Sequence, residues 1–196
     1  MNNKLKTKDF ILIALLTAVY FIIYMLAMLV ITPLGAFGDA ISPGICSIFS
    51  GTLIYFMSRK LGKMWQYTIM AVLIMACFTL IGAGYIPWYI TSIGMALIAD
   101  IIASRDGKDV SVKKVSLASG VMHVGQAWGA IIPATFFVSR FKQYWIEKGQ
   151  SSAEMDMHIK YSAGLWGAIS TVMVFILAII GVYLGYFILR KHFKEV

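Results

Sequence analysis

Long apolar intervals free of Asp, Glu, Lys and Arg alternate with short polar ones along this chain. The uncharged intervals run from Phe10 to Gly38, Ala40 to Ser58, Met64 to Ala99, Val115 to Ser139 and Tyr161 to Leu189. About 20 apolar residues in a helix cross a bilayer core of about 30 Å. Pro33 and Gly35 end the first helix near Ile31. The Met64–Ala99 interval, at 36 residues, is too long for one crossing. Its Gly82-Ala83-Gly84-Tyr85-Ile86-Pro87 cluster marks a turn and splits it in two. The pattern therefore predicts an all-α bundle in one integral membrane domain, with six transmembrane helices. They lie over roughly 9–31, 40–58, 65–83, 88–103, 115–139 and 161–189.

Composition agrees with lipid as the solvent. Of 196 residues, 60% are hydrophobic and 13% charged, against about a quarter charged in a soluble domain. The net charge of +8 would suggest nucleic acid in a soluble protein. Here the positive residues flank the apolar intervals, where they act as topology signals. With the N-terminus inside, cytoplasmic segments hold 13 of the 17 Lys and Arg, including Lys4, Arg59, Lys63, Arg105, Lys108, Lys114, Arg190 and Lys194. The outer segments hold the other four, Arg140, Lys142, Lys148 and Lys160. This predicts both termini in the cytoplasm. The polar outer interval 140–160 is read as a short amphipathic helix or a lid. Cys46 and Cys77 fall inside apolar intervals and are expected as free thiols.

Candidate chemistry is sparse. There is no Walker A sequence, no H-E-x-x-H, no G-x-S-x-G and no metal-spaced Cys/His cluster. An enzyme is not expected, nor a bound cofactor or metal. Asp39 precedes the second helix and is read as its cap ahead of a ligand contact. Asp100 is read as solvated at the inner interface ahead of any functional role. His123 and Gln126, three apart on one face of the fifth helix, suit either interhelical hydrogen bonding or the floor of a cavity. Aromatic residues crowd the outer half. Tyr85, Trp88, Tyr89, Trp128, Tyr161 and Trp166 are candidates to line a mouth that stacks a flat ligand, beside an interfacial belt as the plainer account. His158, in the outer interval, is a further candidate. Ala14 and Ala18 form a small-xxx-small pair that lets another helix approach closely, within the bundle or from a partner. Gly125/Gly129 and Gly181/Gly185 are read as packing seams inside the bundle.

The segment Lys4–Phe21, KLKTKDFILIALLTAVYF, resembles the opening of the Trep_Strep family of bacterial membrane proteins, regarded as substrate-binding (S) components of energy-coupling factor (ECF) transporters. The resemblance implies a six-helix S-component bundle in the bacterial cell membrane. It would capture a micronutrient outside and deliver it by docking on a T component driven by two cytoplasmic ATPases. It also implies that Ala14-Leu15-Leu16-Thr17-Ala18, an unaltered A-x-x-x-A motif, faces the T component. A vitamin-like molecule or a tetrapyrrole such as haem suits the outer aromatics; for haem, His123, His158 or a methionine would supply an axial ligand. The competing reading is a stand-alone small-molecule transporter or channel with His123 and Gln126 along its path.

Overall fold

The computed structural model describes residues 4–104 and 110–192. Arg105, Lys108 and Lys194 of the basic segments lie outside the described residues. The described residues are helical, with no strand among them: α1 (Thr7–Ile31), α2 (Gly35–Lys60), α3 (Gln66–Leu80), α4 (Ile86–Ala103), α5 (Val112–Phe136), α6 (Val138–Glu147), α7 (Ser152–Ser162) and α8 (Gly164–Leu189). α1 stops at Ile31, where Thr32-Pro33-Leu34 forms one 3-10 turn and Gly35 takes a positive φ of 57°. That left-handed conformation suits glycine and reverses the chain.

Among the described residues, four segments are long and apolar enough to cross a membrane: Thr7–Lys60, which contains both α1 and α2, then α4, α5 and α8. α3 is apolar but has only 15 residues. At 1.5 Å per residue it spans about 22 Å, less than a bilayer core. Its predicted extent of 65–83 is cut at both ends. Trp65 takes a left-handed conformation before it, and the chain leaves the helix at Ile81, before the Gly82 turn.

α5 is the central helix, with 72% of its most apolar window buried against 28% for α4 and α8. Small residues let its neighbours close in. Gly125 meets Met95 of α4, Gly129 meets Trp88, and Gly120 lies under the ring of Phe175 of α8. α2 and α8 run side by side in the same direction, and here the contact is backbone to backbone. Gly51 lies against Gly181, which also meets the Ser47 carbonyl, and Gly185 lies against Thr52. The glycine pairs of α5 and α8 are thus internal seams.

Asp100 departs from its expected place at a solvated interface. It is fully buried and caps α3 from α4. Its carboxylate accepts hydrogen bonds from the backbone N–H groups of Tyr67 (3.1 Å) and Thr68 (2.9 Å), the Thr68 hydroxyl (2.7 Å) and the Ser104 hydroxyl (3.2 Å). Those two amides are the ones a helix N-cap side chain normally satisfies. Trp65, at the cap, has no such acceptor. On the same face of the bundle, Lys63 pairs with Asp9 at 2.6 Å and ties the start of α1 to the α2–α3 connection.

The remaining boundaries shift locally. α2 begins five residues before the predicted 40 and carries Pro43 within it. The fifth predicted helix, 115–139, ends at Phe136 because Phe137 leaves helical geometry. Residues 140–160 do not form a loop with one short helix; they form most of α6 and α7, an antiparallel pair turning at Gly149 (φ 100°). The Lys142–Asp156 ion pair (2.5 Å) and the Phe141–His158 ring contact (5.8 Å) join the two. Residues 161 and 162 close α7 rather than opening the last helix.

Candidate functional site

α6 and α7 lie over the end of the bundle opposite the start of α1, and beneath them is a cavity of about 400 Å³. Ligand sites commonly occupy about 300–1,000 Å³. Five of the sequence candidates line it: Asp39, Tyr85, Trp88, Gln126 and His158. Tyr24 and Met28 enter from α1, one turn apart, with Phe78 from α3 and Phe141, Trp145 and Met155 from the overlying pair. The lining is mostly apolar, with polar groups at two levels.

The deep polar group is Gln126, only 4% exposed. Behind it runs a hydrogen-bonded chain. The Tyr20 hydroxyl donates to Gln126 Oε1 at 3.3 Å and lies 3.2 Å from His123 Nε2. His123 Nδ1 is 2.8 Å from the Ser119 carbonyl. Tyr20 thus ties Gln126 to His123. Gln126 Nε2 is buried and has no partner among the described residues. His123, fully buried, belongs to the supporting chain and does not line the cavity. The two expectations for this helix face therefore divide between its members: Gln126 reaches the floor, and His123 is an interhelical hydrogen-bonding group.

The shallow polar groups are Asp39 and His158. Asp39 is not the cap expected from its position. Leu34 is the N-cap of α2, and no side chain caps that end. Asp39 sits a turn further in, where the helix is interrupted from below. Pro43 has no N–H to give the Asp39 carbonyl, and the Ser42 hydroxyl supplies that bond instead at 2.8 Å. The Asp39 side chain faces the cavity and a shallower cleft shared with His158 and Gln150. His158 is half-buried on α7. Burial lowers its pKa from the ordinary histidine value, and the nearby Asp39 carboxylate partly opposes the shift.

Four candidates lie elsewhere. Tyr89 bonds to Thr79 at 2.5 Å and faces a separate cleft with Tyr144. Trp128 donates its indole N–H to Thr171 at 3.2 Å between α5 and α8. Tyr161 and Trp166 stack edge-on at 5.4 Å, each against Phe37, beside the cavity rather than in it. Ala14 and Ala18 are exposed on α1, on a face with Ile11, Leu15 and Ile22 that no described helix covers. Among the described residues, no cluster of three or more His, Cys, Asp or Glu side chains could hold a metal ion.

Sequence reasoning did not select Tyr24, Met28, Phe78, Phe141 and Trp145. For the last two a signal exists. Phe141, Tyr144 and Trp145 follow an i, i+3, i+4 spacing within a polar segment, which marks one buried face of a surface helix. No such contrast exists in α1 or α3, where nearly every residue is apolar.

Apolar helices around a ligand-sized aromatic cavity define a multi-pass integral membrane protein of the helical-bundle class. The chain belongs to the Trep_Strep family: the model of that family, described as a hypothetical bacterial integral membrane protein, matches residues 7–195. That description speaks of membrane location and not of energy-coupling transport. No curated protein and no solved structure matches the chain.

Proposed function

We propose that this protein is the S component of an ECF-type importer. In this reading α1, α2, α3, α4, α5 and α8 are six spans, the termini are cytoplasmic, and the cavity under α6 and α7 opens outward. It captures a flat, partly apolar micronutrient, vitamin-like or a tetrapyrrole. A T component with two ATPases then drives delivery. The observation that carries the reading is the exposed Ala14/Ala18 face of α1. Two small side chains between Ile11, Leu15 and Ile22 leave a shallow groove open to a partner helix. A chain of helices with no nucleotide-binding sequence needs such a partner to do ATP-driven work.

The test is the double substitution Ala14→Trp and Ala18→Trp. Both sites are exposed, so the fold and ligand binding are expected to survive. ATP-dependent uptake by cells or proteoliposomes carrying the motor subunits is expected to fall to background. Uptake that persists at the wild-type rate removes the docking role. Substrate movement by the purified chain alone in liposomes favours the stand-alone transporter instead.

A further inference from the structure

The cavity carries information about the charge of what fills it. Its walls are six aromatic rings, Tyr24, Phe78, Tyr85, Trp88, Phe141 and Trp145, which suit a flat ring system. Among the described residues, no Lys or Arg lines it, and its one carboxylate is Asp39 near the rim. A carboxylate or phosphate brought into such a cavity would lose its hydration without gaining a cation, and it would meet Asp39. Such burial is strongly unfavourable. At the floor, Gln126 is almost fully buried and its Nε2 has no partner among the described residues. A buried donor left unmade is costly. Tyr20 bonds the amide, so the side chain is held in position before any ligand arrives.

We infer that the ligand is a flat heteroaromatic molecule, neutral or cationic, that stacks among these rings with one edge toward Gln126 and leaves its positive or N–H-bearing end beside Asp39. This rests on the cavity being the substrate site and narrows the class proposed above. A haem, with two carboxylates, falls outside it. So does any phosphorylated vitamin.

The experiment uses the full chain in detergent and reads quenching of tryptophan fluorescence, to which Trp88 and Trp145 in the cavity wall contribute. Four probes that each carry a flat ring system differ in charge: thiamine (cationic), riboflavin (neutral), folate and haemin (both with two carboxylates). Thiamine or riboflavin is expected to bind, and folate and haemin to bind at least tenfold more weakly. Gln126→Leu is expected to weaken binding about tenfold. Asp39→Asn is expected to weaken a cationic probe and leave a neutral one unchanged. Should Gln126→Leu fail to fold, Asp39→Asn at its exposed position carries the comparison. Tighter binding of folate or haemin overturns the inference, as does failure of both thiamine and riboflavin, wild-type affinity of Gln126→Leu for the probe that binds, or wild-type affinity of Asp39→Asn for thiamine. A chain that binds the expected probes yet supports no uptake with motor subunits fails only as an importer. Uptake of a carboxylate-bearing substrate fails only the ligand class.

Discussion

Replacing Asp100 by Ala tests how α3 is held. The carboxylate takes four hydrogen bonds: two from the first-turn amides of α3, one from the Thr68 hydroxyl and one from Ser104. On its removal the hydroxyls can rotate to backbone carbonyls. The Tyr67 and Thr68 amides cannot, because N–H groups in a first helical turn have no intrahelical acceptor. Each buried donor left unmade costs about 1–3 kcal/mol, so the loss is roughly 2–6 kcal/mol. At about 2–4 °C per kcal/mol for a chain of this size, the thermal midpoint in detergent should fall by roughly 4–24 °C. Asp100→Asn keeps one oxygen and should fall between the two. Because α3 carries Phe78 into the cavity wall, stabilisation by bound ligand should also shrink. A midpoint for Asp100→Ala within about 2 °C of wild type would refute the assignment of Asp100 as the anchor of α3.

Two further perturbations probe other contacts. Gly181→Val places a side chain against the Ser47 carbonyl of α2; the helices must part, and we expect little folded protein by fluorescence size-exclusion chromatography, whereas Gly94→Ala, which meets open space, should be recovered normally. For His158, the pKa is lowered in the folded state, so the unfolded α7 binds a proton more readily. The packing of α7 is then at full strength above the ordinary histidine pKa of about 6.5 and is lost as the pH falls through the lowered folded value. Hydrogen exchange over residues 138–162 should accelerate between pH 7.5 and pH 5 beyond its intrinsic pH dependence. His158→Gln should abolish that excess; equal protection in wild type and variant at both pH values would remove the histidine from the account.

The sequence made most of the helices legible because hydropathy and charge change abruptly at their ends. Ile31 is the clearest case, with Pro33 and Gly35 directly behind it. Boundaries slipped where geometry gave no compositional mark. Nothing in the letters shows Trp65 in a left-handed conformation or Phe137 leaving the helix. The site was half legible. Gln126 stood out because an amide among apolar residues needs a partner, but its separation from His123 depends on Tyr20, which lies 106 residues away. Asp39 and Asp100 show the same limit. Position in the chain suggests a cap for Asp39 and a solvated interface for Asp100, whereas Asp100 caps a different helix and Asp39 faces a cavity that only the assembled bundle creates. The exposure of Ala14 and Ala18 depends likewise on which faces α2 and α3 leave uncovered.

The α2–α8 seam has a mechanical consequence. Where two backbones touch through Gly51, Gly181 and Gly185, no side chain between them can change rotamer to absorb a displacement. The two helices must move as one body. Any motion that admits or releases a ligand is then left to the other walls: α6 and α7, held by an exposed ion pair and ring contacts, and α1, which leaves one whole side open. The frame and the moving parts of the molecule are thus separated by where its glycines lie.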